Sequence, residues 1–151
     1  MLYAESLSNG GVYQVSLILL PVHNTRRVDR LLKQSTLTPM WSSVLQVNPD
    51  VLTIATELDH ERAAGQIRGP LHGIPFLVKD NIASKDKMET TTGSWALQGS
   101  IVPRDSFIVS QLRTTGAVLM GKATLSEWAD MRSNNYSEGY SARGRTGEEF
   151  V

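Results

Sequence analysis

The sequence predicts an α/β fold, and three observations carry that expectation. Ile74 to Val78 and Ala117 to Met120 are short continuous apolar runs of strand length, the pattern of strands covered on both faces in parallel sheets. Between them, Asp105 or Ser106 can cap a helix that runs through Leu112 and is closed by Gly116. Ahead of the first run, Asn48-Pro49-Asp50 has the make-up of a helix start. It offers a capping side chain, a proline whose missing N–H costs nothing at the first position, and an acid near the positive end of the dipole.

The elements follow in order. Val51, Ile54, Ala55 and Leu58 fall on one helical face, with Gly65 a fitting stop. Gly69-Pro70 makes a turn before the first apolar strand. Strand, helix and strand then suggest a βαβ unit with a right-handed crossover, within a mixed sheet flanked by helices. Thr124-Leu125-Ser126-Glu127 reads as a capping box opening a third helix, with Leu125, Trp128 and Ala129 on its inner face. Near the start, Val15 to Val22 is an apolar stretch broken by Pro21, readable as a buried strand or a poorly ordered leader. It is far below the ~18 residues expected of a membrane span.

Composition narrows the function. Fifteen basic residues balance fifteen acidic ones in 151, which gives no support to a nucleic-acid binder or a polybasic membrane anchor. The chain has no cysteine, so thiol catalysis, disulfides and zinc–cysteinate sites are excluded. Its compartment is cytoplasmic by default only, and its oligomeric state is open. Residues 1–43 form an atypical segment without sustained period, 44–144 a region in which neighbouring signals agree, and 145–151 a polar, patternless tail.

More than twenty residues, Lys79 to about Arg104, separate the first strand from the next helix with little apolar periodicity. A loop that long in a small domain is usually functional or disordered. This one begins at the C-terminal end of a strand, where open α/β sheets place their ligands. Lys79 is its first residue. Burial penalises a charged lysine, so one emerging from a buried strand is a candidate base; alternatively, Lys79-Asp80 marks where the strand reaches water. Neighbouring side chains on extended backbone point to opposite faces, so Asp80 need not be its partner.

Other patterns carry less. Ser84-x-x-Lys87 has the Ser-x-x-Lys spacing of serine β-lactamases and penicillin-binding proteins but lies in a polar loop rather than at a helix start. His60-Glu61 lacks a second histidine four positions on, where Ala64 stands. His72 belongs to the turn before the strand, His23 has no context, and no metal site is indicated. Trp95 and Tyr140 can line a pocket or pack under loops. Asn135-Tyr136-Ser137 is a glycosylation sequon, meaningful only in a secreted protein.

The run Gly69-Pro70-Leu71-His72-Gly73-Ile74-Pro75-Phe76-Leu77-Val78-Lys79-Asp80-Asn81 resembles the lysine motif of amidase-signature hydrolases. The likeness continues through Thr90-Thr91-Thr92-Gly93-Ser94, Val102-Pro103-Arg104-Asp105 and Gly116 to Trp128, and fades at Gly139-Tyr140-Ser141-Ala142-Arg143-Gly144. The resemblance implies an enzyme that cleaves amide C–N bonds of a small-molecule substrate through a serine–cis-serine–lysine triad, without cofactor or metal. Lys79 would be its base, because a serine hydroxyl is too weakly acidic to attack unaided. Backbone N–H groups near the nucleophile would hold the oxyanion. After Gly144 the sequence departs from the family's Gly/Ser-rich segment. Both serines are then missing, and the expectation is a fragment that is inactive by itself. The alternative is a non-catalytic interaction module that pairs with an intact amidase.

Overall fold

Asn48 links the start of a helix to the middle of the sheet. Its Oδ1 accepts the Asp50 N–H at 3.0 Å, its Nδ2 donates to the Leu119 carbonyl at 2.9 Å, and its backbone N–H donates to the Met120 carbonyl at 2.8 Å. The side chain is buried, and these bonds satisfy it. The structure is a computed structural model that describes residues 25–35, 44–131 and 140–143. In chain order these form α1 (Thr25–Ser35), β1 (Val44–Val47), α2 (Val51–Ala63), β2 (Pro75–Lys79), α3 (Phe107–Thr114) and β3 (Val118–Ala123).

The three strands form a mixed sheet in the order β1-β3-β2. β2 and β3 are parallel neighbours joined through α3, and β1 runs antiparallel on the other side of β3. This is the expected βαβ unit. β1 is an addition, since its four residues are too few to show a period.

Alternation sorts the strand side chains onto two faces. Phe76, Val78 and Leu119 pack with Val109 and Leu112 of α3 and with Ile82 and Met88 from the loop after β2. Val118 and Met120 point the other way, onto Val51, Ala55 and Leu58 of α2 and Val28 of α1. Full burial of each Val, Leu, Ile, Phe or Met among them contributes about 1.5–3 kcal/mol, so the sheet is held from both sides.

The helix C-termini follow the sequence, whereas at the N-termini of α2 and α3 neither Asp50 nor Ser106 caps the helix through its side chain. At Gly65 the Gln66 N–H bonds the Glu61 carbonyl and the Gly65 N–H bonds the Arg62 carbonyl; at Gly116 the Ala117 N–H bonds the Leu112 carbonyl and the Gly116 N–H the Arg113 carbonyl. Both are Schellman closures with a left-handed glycine.

The third helix is not formed. Glu127–Asp130 is a tight turn, with left-handed backbone at Trp128, Ala129 and Asp130. The Glu127 N–H donates to the Tyr140 carbonyl, the Trp128 N–H to the Thr92 carbonyl, and the Glu127 carboxylate accepts the Ser94 hydroxyl at 2.9 Å. Tertiary partners thus take the groups that a capping box would have used. Leu125 is buried as expected, whereas Trp128 is half-buried and Ala129 exposed. Val15 to Val22, His23, the sequon and residues 145–151 lie outside the described residues.

Candidate active site

β2 delivers Lys79 at its C-terminal end, half-buried and in register with Ala123 of β3. Leu77, two residues earlier, packs against the α2-side cluster, so strand alternation places Lys79 on that face. The Lys79 carbonyl accepts the Ile82 N–H at 2.9 Å, which starts the turn out of the strand. Among the described residues, no side chain takes a hydrogen bond from its ammonium.

The next residue is committed at every polar atom. Asp80 is buried; its N–H donates to the Ala123 carbonyl at 3.0 Å and its carbonyl accepts the Thr92 N–H at 3.2 Å. Oδ1 accepts the Thr91 N–H at 3.2 Å, and Oδ2 accepts the Gly93 N–H at 3.1 Å together with the Thr91 hydroxyl. A carboxylate satisfied by backbone N–H groups and a hydroxyl can stay ionised in the interior. Asp80 therefore turns away from Lys79 and toward the loop, as expected of neighbours on a strand.

That loop is bent to fit. Thr92 has φ 53°, a region β-branched residues rarely adopt, and Gly93 has φ 69°. A Cβ on Gly93 would lie 2.8 Å from the Leu125 carbonyl oxygen, so this position also needs a glycine for space. Strained backbone persists only where its surroundings over-determine it, and here the Asp80 carboxylate does so.

Two further cations flank the loop. Lys122 on β3 is fully buried; its Nζ donates to the Ile82 carbonyl and, at 3.2 Å, to the Thr90 hydroxyl. Burial pushes its pKa down to about 8, against the opposing pull of Asp80, Asp86 and Asp105. Arg143 approaches from the far end of the chain. Its Nη1 donates to Glu89 Oε2 at 2.7 Å and to Thr91 Oγ1 at 3.0 Å, and its guanidinium lies 5.3 Å from the Trp95 ring centroid. The Trp95 indole N–H donates to the Ala142 carbonyl at 2.8 Å, so the half-exposed Trp95 packs against residues 142–143.

The outer limb of the loop is stitched to α3. Arg113 pairs with Asp86 at 2.7 Å and with Asp105 at 3.2 Å, and the Lys85 N–H donates to Asp105 at 2.6 Å. The long connection after β2 is thus an ordered platform. Of the other patterns, Ser84 is buried within it and Lys87 pairs on the surface with Asp50 at 2.7 Å, so the two do not meet as a catalytic pair. His72 is a buried scaffold residue, its ring bonded to the Leu58 carbonyl and to the Arg68 N–H. In the sequence neither Lys122 nor Arg143 stands out as a site residue. A lysine inside the apolar strand Val118–Ala123 was the one available signal.

The chain matches the amidase family over residues 28–145. It is 71% identical over 117 residues to a Schizosaccharomyces pombe protein named as an amidase, covering 78% of this chain and 20% of that one. An Arabidopsis thaliana protein also named as an amidase is 49% identical over 116 residues, 76% of this chain and 23% of its own. The solved structure of the native peptide amidase from Stenotrophomonas maltophilia aligns with a TM-score of 0.70 at 46% identity, over 80% of this chain and 24% of that one. The chain spans about a fifth to a quarter of the length of these relatives.

Proposed function

Because the chain belongs to the amidase family, we propose that it supplies the general base, Lys79, to an enzyme that hydrolyses carboxylic amide bonds. The observation that carries this reading is the contrast at the end of β2. Lys122 Nζ and Arg143 Nη1 each donate to two fixed acceptors, whereas among the described residues no side chain takes a hydrogen bond from the half-buried Lys79 at the strand end.

The chemistry follows from that placement. In its neutral form the Lys79 amine takes the proton from a serine hydroxyl, directly or through a relaying serine, as that oxygen attacks the amide carbon. The C–N bond then breaks and the proton passes to the leaving amine. Water cleaves the resulting ester in the second half, with the same base accepting its proton. Both serines would come from outside the 151 residues, which on their own are expected to leave amides intact.

The test is a chimera in which residues 28–143 replace the matching stretch of the S. pombe relative, assayed for amide turnover. Lys79→Ala should lower kcat by about 10²–10⁴-fold, the usual contribution of a positioned base. Near-normal turnover in that variant would remove Lys79 from the mechanism.

A further inference from the structure

Resting on the assignment of Lys79 as base, we infer that Thr91 is a positioning residue, whose hydroxyl locks the Lys79 end of β2 to the segment carrying Arg143. A threonine hydroxyl has one proton and accepts through its lone pairs, a carboxylate only accepts, and a guanidinium only donates. The direction of both bonds is therefore forced: Thr91 Oγ1 donates to Asp80 Oδ2 and accepts from Arg143 Nη1 at 3.0 Å. Thr91 is completely buried, so no water replaces either partner when the hydroxyl is lost.

The link reaches Lys79 through one peptide bond. Asp80 is held by Ala123, Thr91, Thr92 and Gly93, and these bonds fix the backbone from which the Lys79 side chain departs. A base must be held to within roughly 0.5 Å of its productive position. On the other side, Arg143 is secured by Glu89, by the Trp95 ring and by its own N–H to the Gly93 carbonyl at 3.3 Å. Thr91 thus sets the distance between the strand that carries Lys79 and the last described segment of the chain.

Two substitutions in the full 151-residue chain separate the hydroxyl from the volume it occupies. Thr91→Val keeps the shape and removes both bonds; Thr91→Ser keeps both bonds and removes a methyl group. Two readouts are used: hydrogen exchange at the Gly93 amide, and the rate of Lys79 acetylation by acetic anhydride relative to the exposed Lys85. Thr91→Val should raise Gly93 exchange by roughly 10–100-fold, the worth of a hydrogen bond to a charged group. It should also shift the Lys79-to-Lys85 ratio severalfold, and Thr91→Ser should restore both.

If Thr91→Val leaves the ratio as in the wild type, or if Thr91→Ser fails to restore it, the inference is overturned. Should Thr91→Val not fold, Arg143→Gln removes the outer bond, together with the Glu89 pair and the Trp95 contact, and leaves the Thr91–Asp80 bond in place. It is expected to shift the ratio in the same direction, and an unchanged ratio then overturns the inference. Neither readout is amide hydrolysis, so a catalytically idle Lys79 and a dispensable Thr91 give different results.

Discussion

The α2 side of the sheet and the end of β2 are built from different materials. Against α2 the sheet buries Val118 and Met120 on Val51, Ala55 and Leu58, an apolar layer whose cohesion is spread over many small contacts. At the end of β2 the buried groups are Asp80, Thr91 and Lys122, held by a few directional bonds. The first arrangement tolerates loss gradually. The second is worth little if partly satisfied, because each orphaned buried polar group costs the full desolvation of that group.

The sharpest way to break this contrast is to remove one residue from each region and follow urea unfolding. Asp80→Ala strips the partners from the Thr91 N–H, the Thr91 hydroxyl and the Gly93 N–H, and leaves Lys122 with one fewer nearby anion. We expect a loss of about 3–5 kcal/mol, as for other broken buried charge networks. Leu58→Ala in α2 should cost about 2–5 kcal/mol, depending on how far the site collapses. The two differ in reach. Leu58→Ala should leave the Lys79-to-Lys85 acetylation ratio unchanged, whereas Asp80→Ala should shift it. Equal effects on that ratio would erase the distinction.

Legibility in the sequence follows the same division. Helix α2, its stop at Gly65 and the apolar strands β2 and β3 were readable because their determinants lie within a few residues of one another. The position of Lys79 at the end of such a strand was readable in the same way, and its proposed role rests on the motif around it. The network behind it was not readable, because its partners are far apart: Arg143 meets Glu89 and Thr91, and Lys122 meets Ile82 and Thr90. The same cause undid the third helix. Thr124-Leu125-Ser126-Glu127 satisfies the local rule, but Ser94, Thr92 and Tyr140 compete for its groups and win.

A smaller effect sharpens the comparison through pH. Lys122 has a folded pKa of about 8 against an ordinary 10.5, so between those values the unfolded chain binds more protons than the folded one. Stability owed to this residue therefore rises with pH across that window, and the cost of burying its charge is felt fully below pH 8. Lys122→Met abolishes that dependence. The stability of wild type relative to Lys122→Met should increase by at most about 3 kcal/mol from pH 8 to 10.5. A difference that stays flat over that range would show that the Lys122 charge is not confined by burial.

The role of Lys79 is tested most directly by chemical rescue. In the chimera bearing Lys79→Ala, added primary alkylamines can enter the space left by the side chain and serve as the missing base. Amide turnover should then rise with the concentration of free amine, and more steeply for the more basic amines, the Brønsted response of general-base catalysis. No rescue by amines small enough to fit, or rescue indifferent to their basicity, would contradict the assignment of Lys79 as the base.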